Sequence, residues 1–152
     1  MTTTANGLDE LTALAGADLG HTSWVEVSQA RVDMFADATG DHQWIHVDPA
    51  RAAAGPFGGT IAHGFLTLSM IIPLFSELLE VTGVSMAINY GLNKVRFPAP
   101  VPVGSKIRLA GRLAAVEPAG DSAVQVTADF TVEVDGGGKP GCVAQGIYRY
   151  YA

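Results

Sequence analysis

The sequence predicts an α+β fold, with one helix lying against an antiparallel sheet, and three observations predict it. One strongly apolar helical run, Gly64 to Val81, stands in mid-chain. After it the hydrophobic period falls from about 3.6 to 2 and stays there to the last residues. Turn-rich PAPVPVG and DGGGKPG then cut the remainder into strands. A helix embraced by one face of a curved sheet would be apolar nearly all round, whereas an ordinary surface helix shows a single stripe.

The elements follow in order. Residues 1–20, MTTTANGLDELTALAGADLG, read as an N-terminal extension packing on a domain that runs from 21 to 152. They carry no basic start and no continuous apolar stretch, so no secretory signal is expected. Thr22 to Val27 suits a first strand. Arg31, Val32, Met34, Phe35 and Ala38 keep helical spacing up to Thr39-Gly40, a helix C-terminal signal. Beyond the apolar helix, strands are expected at Ser85 to Phe97 and Ser105 to Val116. The next, near Val124 to Val134, alternates Val124, Val126, Ala128, Phe130 and Val132 with polar neighbours. Asp135 to Gly138 turns the chain, and Cys142 to Tyr151 returns as its partner.

Composition narrows the function. A chain of 152 residues that is 48% hydrophobic and 16% charged is large enough for one core. The net charge of −6 and the lack of any Lys or Arg run argue against nucleic acid, because phosphate neutralisation needs a clustered basic face. Ser69, Pro73, Ser76, Glu77 and Glu80 interrupt the apolar run, so no membrane insertion is expected. The one cysteine, Cys142, has no internal disulfide partner and suits a reducing cytoplasm.

Chemistry concentrates in FADATGDHQWIHVDPARA, residues 35–52, where Asp41 and His46 follow a helix end. An acid that takes a proton beside an imidazole that holds or returns one is the minimum equipment for adding water to an activated double bond. Taken alone, such a pair is more often a helix cap and a packed histidine. Gly64 opens the apolar helix, where unpartnered N–H groups and a partial positive charge would polarise a carbonyl. Lys94 and Arg96 share one strand face, suited either to phosphate groups or simply to solvent.

GDHQWIHVDPARA, followed by GPFGGTIAHGFLTLSMI and NYGLNKVRFPAPVPVGSKIRL, resembles the MaoC-like hydratase family of the hotdog superfamily from about Val25 onward. Gln43 and Trp44 stand where that family usually has Asn and Pro. This QW variant resembles the subgroup related to nodulation protein N and to mycobacterial-type hydratases. The resemblance implies a single hotdog domain, a long central helix wrapped by a curved antiparallel sheet. It implies an (R)-specific enoyl-coenzyme A hydratase, reversible as a dehydratase, with Asp41, His46 and Gly64 catalytic and no metal or redox cofactor. Trp44, His63, Phe65, Ser69, Lys94, Arg96 and Phe97 are then expected to contact the acyl-coenzyme A substrate. The resemblance gives the role at the helix start to the glycine N–H and not to His63. A dehydratase of carrier-protein-bound acyl chains, a thioesterase and a non-catalytic acyl-thioester-binding protein are the alternatives. An unpaired outer strand edge would make the protein a homodimer.

Overall fold

The alternation in the second half of the chain becomes four long antiparallel strands. These are β5 (Met86–Arg96), β6 (Lys106–Pro118), β7 (Ala123–Val134) and β8 (Cys142–Tyr151). The computed structural model describes residues 1–152. Two short strands, β2 (Asp18–His21) and β3 (Val25–Glu26), both pair with β6, giving the order β2-β6-β7-β8-β5. Pairing slips between Leu113 and Ala115 on β6 and twice on β5, between Asn89 and Gly91 and between Leu92 and Lys94. Such bulges raise local twist and bend the strands that carry them. Period-2 patterning sends Val126, Ala128, Phe130 and Val132 inward from β7 and leaves Thr127, Asp129 and Thr131 half-buried on the outer face.

Against the inner face lies α5 (Gly64–Leu78), a helix of 15 residues. Leu66, Met70, Ile71, Leu74, Phe75 and Leu78 are buried, as i, i+3, i+4 spacing requires. Phe75 meets Phe130 edge-on at 5.0 Å between centroids, and burial of each such large side chain contributes about 1.5–3 kcal/mol. A Cβ on Gly111 of β6 would come within 3.1 Å of Leu78 Cδ1, so the absent side chain lets the helix settle onto the sheet. The expected burial all round is not met in one chain. Phe65 is 70% exposed and Ile72 41%, because the sheet covers only one side of α5.

The first part of the chain departs most from expectation. The single strand predicted over 22–27 is shortened to β3 within that span, and β2 precedes it as a separate strand. Gly20, at φ 73°, donates its N–H to Asp18 Oδ1 and bulges the edge. Thr22 Oγ1 then accepts from Leu109 N–H, so a side chain interrupts the ladder. The expected boundary at residue 20 falls inside β2. Residues before it form β1 (Thr3–Asn6) and α1 (Gly7–Ala13), and β1 pairs in parallel with β4 (Leu79–Thr82), which takes up the chain as α5 ends. Ala5, Leu11 and Leu19 belong to the one hydrophobic core. No helix is long and apolar enough to cross a membrane.

Candidate active site

The acid–imidazole segment is built on α2 (Gln29–Thr39), which Ser28 caps by accepting Arg31 N–H. Gly40 ends the helix in the left-handed region at φ 82°, its N–H on Ala36 C=O, and this turns the chain towards α5. Asp41 follows, exposed, with its carboxylate reached by Gln43 N–H at 3.4 Å. Beyond it the chain forms two short helices, α3 (Trp44–Val47) and α4 (Pro49–Ala53). Pro49 opens α4 where its missing N–H costs nothing, and the Asp48 carboxylate caps that helix on Arg51 N–H.

His46 is buried, and both of its anchors come from elsewhere in the chain. Its Nδ1–H donates to Ile61 C=O at 2.7 Å, while its own carbonyl accepts from Gln29 Nε2 at 2.7 Å. Gln29 Oε1 in turn accepts from Thr60 Oγ1 at 2.7 Å. With Nδ1 committed to a carbonyl, the lone pair of neutral His46 sits on Nε2. That is the form of imidazole able to take a proton.

Gly64 is the first residue of α5, and its N–H donates to no other group of the protein. A cavity of about 300 Å³ lies against it, lined by His46, Phe57, Ile61, Ala62, Gly64, Thr67, Phe97, Ala99, Pro100, Val101 and Gly141. A Cβ on Gly64 would press the Phe97 ring at 3.2 Å, so the glycine keeps ring and backbone close. Hollows of about 460 and 710 Å³ lie elsewhere, around Trp24 and Arg108 on the outer sheet face and beside β4. Neither joins an imidazole to an unpartnered helix N–H, and chemistry outweighs volume in choosing the site.

His63 completes the group. It is buried at 3% exposure, its ring stacks on His46 with centroids 3.9 Å apart and planes at 23°, and its Nε2–H donates to the backbone carbonyl of Asp41 at 2.9 Å. Asp41, His46 and His63 each bring one ligand-type atom within 4.8 Å of the others. Each ring has one nitrogen on a backbone carbonyl, which leaves its other nitrogen as the one able to take a proton.

The other expected contacts divide. Phe97 lines the cavity, whereas Phe65 does not and reaches it only through Phe97, edge-on at 6.4 Å. Trp44 packs elsewhere, with the Arg51 guanidinium 4.3 Å over its ring and Gly55 against its edge. Ser69 returns its hydroxyl to Phe65 C=O at 2.7 Å and borders a separate hollow of about 200 Å³ with Leu68, Ile72, Asn89, Leu92 and Tyr148. Lys94 and Arg96 are not brought to the cavity. Lys94 lies opposite Gln145, and Gln145 opposite Asp129, which places the lysine on the outer sheet face; Arg96, two residues on, points the same way and donates to Val95 C=O. Sequence reasoning missed Gln29, Thr60 and Thr67. Gln29 lies 17 residues from the carbonyl it holds, a distance at which spacing carries no signal.

The chain matches the MaoC like domain model over residues 10–134. It belongs to that family. It is 58% identical to 3-hydroxyacyl-thioester dehydratase Z of Mycobacterium tuberculosis over 149 residues, covering 98% of this chain and 99% of the relative. Nodulation protein N of Rhizobium leguminosarum is 44% identical, with 92% and 88% covered. Among solved structures, an R-hydratase of Pseudomonas aeruginosa superposes with a TM-score of 0.70 at 22% identity, covering 93% of this chain and 83% of that one. That likeness shows the hotdog fold. The protein is a MaoC-type hydro-lyase, an enzyme of the hydratase and dehydratase class.

Proposed function

We propose that this hydro-lyase interconverts trans-2-enoyl-coenzyme A and (R)-3-hydroxyacyl-coenzyme A, with Asp41, His46 and Gly64 carrying the chemistry and no metal or redox cofactor. One observation carries the reading. The bond from His46 Nδ1 to Ile61 C=O leaves Nε2 as the basic nitrogen, close to the Asp41 carboxylate and within the cavity that begins at Gly64 N–H.

A thioester carbonyl at Gly64 N–H sits on the positive end of α5, where the charge that develops during addition is stabilised. One such donor contributes about 3 kcal/mol in comparable oxyanion sites. Water held between Asp41 and His46 adds its oxygen to the β carbon, its proton passes to the pair, and the α carbon of the resulting enolate receives a proton from the pair. The reverse sequence expels water. Asp41 and His46 act as one coupled unit, so each proton transfer belongs to the pair.

The name of the Mycobacterium tuberculosis relative specifies a thioester but not its thiol. The choice of coenzyme A over a carrier protein is tested by giving the enzyme crotonyl groups on each and following loss of the conjugated-enone absorbance. Turnover confined to the carrier-linked substrate would reject the coenzyme A assignment. For product hand, an (S)-specific 3-hydroxyacyl-coenzyme A dehydrogenase should give no signal; oxidation of the product would reject the (R) assignment.

The working unit in this reading is a homodimer. β5 is 11 residues long and pairs only with β8, so its outer edge is open. Met86, Tyr90 and Leu92 on it, with Phe65, Ile72 and Phe97 nearby in the fold, are each at least 41% exposed. An edge of this length with apolar neighbours is normally covered, and a second copy related by two-fold symmetry covers both edges at once. Sedimentation at micromolar concentration should show twice 15.8 kDa; a fully active monomer would refute the assembly.

A further inference from the structure

We infer that His63 is the positioning residue that sets Asp41 against His46, an inference that rests on the proposed roles of that pair. Two contacts converge on one ring, and a third tie is the chain itself. Nε2–H donates to the Asp41 carbonyl at 2.9 Å across 22 positions of sequence, the face stacks on His46 at 3.9 Å, and the next residue in the chain is Gly64. One buried side chain thus ties the acid, the imidazole and the helix N–H to a common frame.

The cost of this arrangement is visible. His63 Nδ1 is the only buried side-chain nitrogen or oxygen that lacks a hydrogen-bond partner. A residue chosen for packing alone, 3% exposed and against Phe35 at 4.9 Å, would better be apolar, since an orphaned polar atom in such a place is destabilising. What an apolar residue cannot supply is the donor to Asp41 C=O. Asp41 needs that donor more than His46 does. Its side chain is exposed, and its own loop offers only long contacts, Asp41 N–H to Thr39 Oγ1 and Gln43 N–H to the carboxylate, both at 3.4 Å. His46, by contrast, is already fixed by Ile61 and Gln29.

His63 therefore acts through Asp41. Removing the donor lets the acid drift, and misplacement by about 1 Å can cost on the order of 100-fold in rate. His63→Phe keeps an aromatic ring for the stack and removes both the donor and the orphaned nitrogen. It should melt no lower than the parent, lose about 10- to 100-fold in kcat with KM within about threefold, and exchange the amide hydrogens of residues 41–43 faster. His63→Gln, whose amide reaches the former Nε2 position, should recover most of the rate, and His63→Asn, one atom shorter, should not. Should the Phe variant fail to fold, the Gln and Asn pair decides the same question.

Asp41→Asn is measured alongside. If it stays fully active, the assigned pair is wrong and the positioning role falls with it. If it is inactive while His63→Phe turns over within threefold of the parent, the positioning role alone is overturned. A His63→Phe loss confined to KM, or equal rates for the Gln and Asn variants, would overturn it too.

Discussion

Two replacements of His46 separate its anchor from its chemistry, because an asparagine amide sits where Nδ1 was and a glutamine amide sits where Nε2 was. His46→Asn keeps a donor for Ile61 C=O, which the native ring holds at 2.7 Å, and leaves nothing basic facing the cavity. His46→Gln puts a non-basic amide in the cavity and strands that carbonyl. Both should lose at least about 100-fold in kcat, the usual contribution of a positioned acid–base group, or about 2.7 kcal/mol of transition-state stabilisation. Their stabilities should differ. A buried carbonyl left without its donor costs about 1–3 kcal/mol, and at this chain length each kcal/mol moves Tm by about 2–4 °C. His46→Gln should therefore melt about 2–12 °C below His46→Asn, whose Tm stays near the parent. Crotonyl-coenzyme A hydration and a thermal scan by circular dichroism read the two effects. Near-parental turnover by either variant would refute the acid–base role, and equal melting temperatures would refute the Ile61 anchor.

Four further outcomes are expected. Asp41→Asn should lower turnover by at least about 100-fold and leave Tm unchanged, because the side chain is exposed; a fall in Tm would show a structural role. Cys142 is fully buried and its thiol is pushed up to about 11 by that burial, so a thiol reagent at pH 8 should modify it only at the rate of unfolding. Burial, with Tyr150 beside it, pushes the Tyr148 phenol up to about 12. The folded state then holds the proton more tightly, so its contribution to stability is complete below about pH 10 and is lost between 10 and 12. Tyrosinate absorbance rising to completion near pH 10 in the folded protein would contradict this. Met70 is 4% exposed and borders neither the cavity at Gly64 nor the hollow beside Ser69. Met70→Ala should thus cost about 2–5 kcal/mol as a core truncation and leave the order of preference among acyl chain lengths unchanged; improved turnover of long chains would refute this and show that Met70 limits the acyl pocket.

What the sequence disclosed and what it hid follow from the range of each signal. Period-2 alternation is local, so β8 was located to the residue and β5, β6 and β7 to within two. The helix stop at Thr39-Gly40 is also local and holds, with Gly40 in the left-handed region. The strand expected over 22–27 is shortened to Val25–Glu26, and ahead of it Thr22 lends its hydroxyl to Leu109, a partner 87 residues away. Contacts that specify the site are of this second kind. Ile61 C=O on His46, Gln29 on the His46 carbonyl and His63 on the Asp41 carbonyl all join backbone to side chain across 15 to 22 positions. Strand alternation gave the common face of Lys94 and Arg96 but not which face it was, and the register with Gln145 turns it outward.

The helix α5 shows where periodicity stops being informative about a single chain. Its apolar residues form two populations, one set into the sheet through Leu66, Met70, Leu74 and Leu78, and one left bare through Phe65 and Ile72. A sequence records that both must be covered but not by what. The bare set does not stand alone. Phe65 meets Phe97, Phe97 lines the cavity that contains His46 and Gly64, and Leu92 and Ile72 border the next hollow along the same helix. In the proposed dimer, the surface that closes the assembly is thus the surface that closes the site. Excluding water from this rim strengthens the field of Gly64 N–H on a bound carbonyl, because the same dipole acts more strongly in a lower local dielectric. A charge placed at Leu92 should therefore lower catalytic efficiency together with dimer affinity, although Leu92 lies away from Asp41 and His46 in sequence and does not line their cavity. Dissociation without loss of activity would separate the two and show that one chain's sheet and helix suffice.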